Sequence, residues 1–265
     1  MTEPQSNFHT WGGIWDLLAI RLVSLMGITA GSRVLDIGTG GGSTLLAALR
    51  RIGPTGEVIG IDKDETWVAH IRDEAKRCGV TNVRVLEMDA RELDFQDTSF
   101  DYVTVGFLGW DYCYDFAEGE FIAPDAIMKG IHRLLKPSGT VGISEWARQE
   151  DTEWMESFVE SFDYSPQRVY SKETMEGWED IMANSDFRNP LLLPEVVEYT
   201  YPTIDNWWQE MLAYGWEWQL KGLAMKQDTN LQHLQESAIN RVQDHISNEE
   251  VSFQRAVLHI LATKK

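Results

Sequence analysis

Val34-Leu35-Asp36-Ile37-Gly38-Thr39-Gly40-Gly41-Gly42-Ser43 is a short, mostly apolar run that ends in a cluster of glycines. An apolar run of this length closed by glycine reads as a buried strand. The stripe Leu45, Leu46, Leu49 and Ile52 just after it has helical spacing. Glycines between a strand and a helix admit positive φ and let a ligand come close to the free N–H groups at the helix start. The turn is therefore expected to bind something, although a tight turn without a ligand would use the same residues. A dinucleotide fingerprint beginning at Gly38 needs Gly or Ala at position 43, where Ser43 stands, so a nicotinamide cofactor fits poorly.

Working outward, β-rich runs at 33–37, 57–62, 83–88, 102–107 and 140–145 alternate with helical stripes such as Trp67, Ile71, Ala75 and Cys78, or Ile127, Met128, Ile131, Leu134 and Leu135. Five βα units of this kind predict a parallel sheet with helices on both faces. Gly53-Pro54, Cys78-Gly79 and Lys136-Pro137-Ser138-Gly139 punctuate the helix ends. Residues 14–26 read as an amphipathic helix, broken by Asp16 and Arg21 and too short to span a membrane. From Trp146 onward the composition changes, and seven of the eleven tryptophans, Trp146 included, fall there. Residues 195–201 and 256–262 read as two late strands. Between them, Ile204, Trp207, Trp208, Met211, Leu212 and Gly215, then Leu231, Leu234, Ala238 and Val242, predict two helices crossing one end of the sheet. The expected division is an N-terminal helical cap at 1–30, a ligand-binding core at 31–147, and a helical insert with the last two strands at 148–265.

Lys and Arg number 23 against 42 Asp and Glu, a net charge of −19 that would repel a nucleic-acid backbone. Cys78 and Cys113 cannot by themselves build a disulfide framework or a thiolate metal site, and the start carries no secretory pattern, so a cytoplasmic location is expected. Two further acids sharpen the reading of the turn. Asp62 and Asp89 follow Asp36 at intervals of 26 and 27 residues, putting three carboxylates at the carboxyl ends of three successive strands. Ligands bind at that edge of an open α/β sheet. Each acid alone would serve as a solvated strand end or helix cap. Together they would repel phosphates and welcome a ligand carrying an ammonium, a sulfonium, a ribose diol and an adenine amine. S-adenosyl-L-methionine has all four.

Over residues 11–146 the chain resembles the class I S-adenosylmethionine-dependent methyltransferases. VLDIGTGGG, VIGID, LEMDA, FDYVTVGF and IHRLLKPSGTVGISEW stand in that family's order. The resemblance implies an α/β, Rossmann-like, doubly wound sheet of seven strands in the order 3-2-1-4-5-7-6, strand seven antiparallel, with a C-terminal helical lid. It also implies that Gly38, Thr39, Gly40 and Gly42 shape the methionine pocket while Asp36 helps to position the cofactor. Asp62 and Lys63 would lie at the ribose, Asp89 and Ala90 at the adenine edge, and the Phe107 carbonyl at the ammonium. Residues 8–16 and the helical insert look like the small-molecule branch near the ubiquinone and menaquinone biosynthesis methyltransferases. Two cysteines are too few for the arsenite branch. Gly106-Phe107-Leu108-Gly109-Trp110 stands where nucleic-acid enzymes carry an Asn/Asp-Pro-Pro-Tyr type motif. Asp111 and Glu145 are too few acids for a catechol-type metal site, so no metal is expected.

Methyl transfer depends on alignment and desolvation, and a base is needed only for a protonated nucleophile. Among His9, Asp111, Tyr112, Tyr114, His132 and Glu145, the residues just past strand four, Asp111 and Tyr112, are the first candidates for that base. Trp110, Tyr114 and Trp146 are candidate walls for a flat or apolar acceptor, with core cover as the competing role for the aromatic loop. The expected protein is a monomeric or weakly dimeric methyltransferase of a small molecule, with no membrane insertion. The rivals are a non-catalytic methyltransferase-like partner protein and a pyridine-nucleotide oxidoreductase.

Overall fold

The structure is a computed structural model that describes residues 13–110, 114–115, 118–121, 126–166 and 173–265. Helix α1 (Ile14–Leu25) precedes the first strand. The alternation then runs β1 (Arg33–Ile37), α2 (Ser43–Ile52), β2 (Glu57–Asp62), α3 (Glu65–Arg77), β3 (Val83–Glu87), β4 (Phe100–Gly106), α4 (Ala126–Leu134) and β5 (Leu135–Gln149). There follow α5 (Glu150–Glu160), α6 (Met175–Ala183), β6 (Phe187–Tyr201), α7 (Ile204–Met211), α8 (Glu217–Lys226), α9 (Leu231–Arg241) and β7 (Glu250–Lys264). The sheet order is β3-β2-β1-β4-β5-β7-β6, the order expected, with one antiparallel strand among parallel ones. The two-residue strand Ile246–Ser247 pairs antiparallel with β7.

β1 lies between β2 and β4 with parallel register, so Asp36 stands opposite Gly60 on one side and Thr104 on the other. Four of the five β1 residues are buried, as the apolar run requires of a central parallel strand. Ala19, Leu22 and Val23 of α1 join Leu45, Leu46 and Leu49 of α2, Val68 and Ile71 of α3 and the strand residues Val34, Val58 and Val85 in one buried cluster. This cluster fixes the direction in which α2 leaves the glycine turn.

The late part of the chain departs from expectation in detail. β6 and β7 each run 15 residues, where the strand signal covered only the seven residues 195–201 and the seven residues 256–262. Helices α5 and α6 carried no recognised sequence signal. The first insert helix ends at Met211 and passes through a π-helical turn (Leu212–Trp216) into α8, because Gly215 takes φ 99° where a helix cannot continue. Thr203 and Asn230 cap α7 and α9 by accepting from the N–H groups of Asn206 and His233. Trp207 and Trp208 are core residues, as their helical stripe predicts.

Two compact units divide the chain: residues 1–145, 174–194 and 258–265 in one, and 146–173 and 195–257 in the other. No helix among the described residues is long and apolar enough to cross a membrane.

Candidate functional site

The glycine turn is held from below. The N–H groups of Gly38 and Thr39 both donate to the Ile61 carbonyl at 2.9 Å, which fastens the turn to the end of β2. Asp36 is buried beneath it and accepts the Thr104 hydroxyl at 2.7 Å and the Thr39 hydroxyl at 2.9 Å. Burial pushes this carboxyl up to about 7 against the lowering effect of the two hydroxyl donors. Thr39 presses so closely on β2 that a Cβ on Gly60 would lie 2.4 Å from its Oγ1. Gly38, Gly40 and Gly42 have φ of +71°, +47° and +90°, the left-handed region that only glycine enters cheaply. A Cβ on Gly40 would meet nothing nearer than the Gly38 carbonyl, 4.0 Å away, so the requirement there is conformational and the space above the turn stays open.

The other two acids stand at a cavity of about 420 Å³ at the carboxyl ends of the strands. Gly38, Gly40, Asp62, Lys63, Asp89, Ala90 and Phe107 line it, together with Ile61, Met88, Arg91, Leu108, Gly109 and Ile127. Asp62 accepts the Gly40 N–H at 2.8 Å on one oxygen and the Asp64 N–H at 2.9 Å on the other. Asp89 is gripped by Arg91, whose Nε and Nη2 reach one carboxylate oxygen each at 2.9 and 2.5 Å while its backbone N–H adds a third bond. Those bonds hold the Asp89 carboxyl down at about 2. Past β4, Phe107 takes φ +53° and its ring meets Trp15 edge-on with centroids 5.0 Å apart.

Seven of the ten residues expected at the cofactor thus surround one cavity. Asp36, Thr39 and Gly42 are not among the residues that line it; Asp36 and Thr39 are buried and bonded to each other under the turn. The cavity also takes in Arg91, which no motif singled out; its place two residues past Asp89 was the available signal.

The acceptor-side expectations fare differently. Asp111 and Tyr112, like His9 and Cys113, lie outside the described residues. Trp110 is fully buried, donates its ring N–H to Glu145 at 3.1 Å and packs edge-on against Trp178. Tyr114 is 1% exposed and donates to Asp180 at 2.7 Å. Both therefore take the competing role of core cover, since a side chain with its polar end satisfied inside the protein has no face for a ligand. Glu145 is spent as well: one oxygen accepts the N–H groups of Leu108, at 2.7 Å, Gly109 and the Trp110 ring. Trp146 is half-buried and lies in the second unit beside Arg255 and Tyr199.

Residues 28–211 match the family model described as a methyltransferase domain. A demethylmenaquinone methyltransferase of Staphylococcus aureus is 37% identical over 123 residues, 46% of this chain and 46% of that protein, so the chain spans about half the length of the curated relatives it matches. The structure of the YcgJ protein of Bacillus subtilis superposes with a TM-score of 0.60 at 21% identity, covering 94% of this chain and 99% of that one. A phosphoethanolamine N-methyltransferase of Haemonchus contortus, solved with phosphomonomethylethanolamine and S-adenosylhomocysteine, gives 0.55 at 20% identity over 94% of this chain and 52% of that one.

Proposed function

We propose, from the premise that the chain belongs to the methyltransferase-domain family, that it transfers a methyl group from S-adenosylmethionine to a small, partly apolar or aromatic molecule. The observation that carries the reading is the cavity that joins the left-handed glycines to two acidic side chains at successive strand ends. A carboxylate oxygen has two lone pairs, and each Asp62 oxygen has one spent on a backbone N–H, so both keep capacity for a ribose hydroxyl. Asp89, fixed in orientation and charge by Arg91, offers an acceptor to an adenine amine. Gly38 and Gly40 leave the backbone approachable where the methionine end would lie. A pyrophosphate would meet Asp62 and Asp89 as like charges, which disfavours the oxidoreductase reading.

When bound, S-adenosylmethionine supplies a methyl group already activated for displacement. The chain's own contribution is to hold the two reactants in line and keep water out. If the nucleophile is protonated, Asp111 or Tyr112 would take the proton, five and six residues past the end of β4 in the sequence. Two observations support a small acceptor: the demethylmenaquinone methyltransferase relative and the phosphoethanolamine methyltransferase neighbour both act, by name, on small molecules.

Calorimetric titration tests the reading. S-adenosylmethionine and S-adenosylhomocysteine should bind and NADH should not. Asp62→Ala, which removes charge-assisted acceptors of roughly 1.5–3 kcal/mol each, should weaken binding at least tenfold. Unchanged affinity in this variant, or tight NADH binding by the natural chain, overturns the assignment.

A further inference from the structure

β3 ends the sheet on one side, within the first unit, and pairs only with β2. The Asn82 carbonyl accepts the Val58 N–H and the Met88 N–H donates to the Asp62 carbonyl, both at 3.0 Å. In a parallel ladder every second residue faces a given neighbour. Residues 82, 84, 86 and 88 therefore face β2, while Val83, Val85 and Glu87 turn their N–H and C=O groups away from the sheet. The Val85 carbonyl accepts Arg72 Nε at 2.8 Å. The Val83 N–H and C=O and the Val85 N–H have no partner among the described residues. A row of unused backbone donors and acceptors along an edge is a template for a further strand.

A groove of about 560 Å³ adjoins this edge. Val80, Val83 and Val85 give it apolar walls continuous with the buried cluster that holds Val68 and Ile71. Its charge comes from Arg72, Lys76 and Arg84, and no carboxylate is among the described residues that line it. In a chain of net charge −19 this is a local reversal of sign. Arg84 shares Glu57 with Arg33, but Arg72 and Lys76 have no ion pair among the described residues. The unused backbone row selects an extended peptide over a compact anion, and the two unpaired cations select an acidic one. A carboxylate is a stronger acceptor for a guanidinium than a carbonyl is, so its arrival would draw Arg72 away and release the Val85 carbonyl to the new strand.

We propose that this edge docks an extended acidic segment of a partner protein, which adds as a strand beside β3 with its main chain on Val83 and Val85 and its carboxylates on Arg72 and Lys76. The groove shares no lining residue with the cofactor cavity, so the inference stands apart from the methyltransferase reading.

NMR titration of the whole chain with acetyl-Val-Glu-Val-Glu-Val-amide tests it, with hydrogen exchange of the Val83 and Val85 amides as the second readout. Saturating peptide should slow both amides at least tenfold. Two control peptides should each bind at least fivefold more weakly. One is acetyl-Val-Lys-Val-Lys-Val-amide, which reverses the charge. The other is the acidic peptide N-methylated at every residue, which keeps the charges but has no donor along its chain. Lys76→Glu, at an exposed position on α3, should weaken the acidic peptide at least threefold and leave S-adenosylhomocysteine affinity unchanged. Absence of binding, unprotected amides, equal binding of either control peptide, or unchanged peptide affinity in Lys76→Glu overturns the proposal. Val83 and Val85 amides already slow in the free chain, where sedimentation shows a dimer, would give the edge to a second copy and overturn it too.

Discussion

A carboxyl raised to about 7 by burial holds its proton more tightly in the folded chain than in the unfolded one, and Asp36 is in that position. Its contribution to stability is complete below pH about 4 and is lost as pH rises to about 7. A shift of roughly three pKa units at about 1.4 kcal/mol each sets a ceiling of about 4 kcal/mol on that loss. In Asp36→Asn, either threonine hydroxyl can turn its proton to a backbone carbonyl already within 3.4 Å and accept from the new amide. The variant should therefore melt above the natural chain at pH 8 and show a flatter profile between pH 5 and 8. Parallel melting profiles would remove Asp36 as the titrating group. Gly60 gives a second test at this scale. Ala there would strike Thr39 and Leu45, each 2.4 Å from the new Cβ, and overpacking of this kind costs about 1–3 kcal/mol. Gly60→Ala should lower the melting temperature and weaken S-adenosylhomocysteine by tilting Thr39 and the turn, whereas unchanged affinity would show that the turn floats free of β2. The glycines and acids of this region were legible because spacing along the strands exposes them. That Asp36 works from beneath was not, because its partner Thr104 stands 68 residues away on another strand.

Among the elements, the loop after β4 is shaped by β5. The Glu145 carboxylate gathers three N–H donors of residues 108–110 and is 3% exposed, so it acts as a staple and not as a base. Glu145→Gln keeps an acceptor for these donors and should preserve cofactor binding, at a cost of about 1 kcal/mol for the lost charge assistance. Glu145→Ala should orphan all three and cost roughly 2–4 kcal/mol, with a fall in cofactor affinity because Leu108 and Gly109 line the cavity. Denaturant titrations of both variants check the difference; equal stability of the two would mean that the loop holds itself. The same logic explains which helices the sequence hid. The first five strands and their helices have apolar stripes that local periodicity detects. Helix α5 buries Asp151 and Thr152 beside Met155, Phe158 and Val159, and two polar residues on the inner face blur the stripe. Asp151 is buried because Arg255, 104 residues further on, pairs with it, and no local window contains both.

For the whole molecule, the consequence of that pairing reaches beyond the unit that holds it. β5, β6 and β7 each carry the chain from one compact unit into the other without a break, so neither unit can lose its strands alone. Such continuity favours cooperative unfolding, in which calorimetric and van't Hoff enthalpies agree. Removing one member of a buried ion pair leaves the other charge uncompensated, at about 3–5 kcal/mol. Asp151→Ala is expected to do this to Arg255, whose side chain is fully enclosed. The expected outcome is one calorimetric peak shifted to lower temperature, with the loss of S-adenosylhomocysteine binding by the first unit coinciding with the change in tryptophan fluorescence. The cofactor cavity is built entirely from first-unit residues, so its binding reports on a part of the chain that the substitution does not touch. Two separated peaks, with cofactor binding surviving the first, would mean that the continuous strands do not couple the units and that each folds on its own terms.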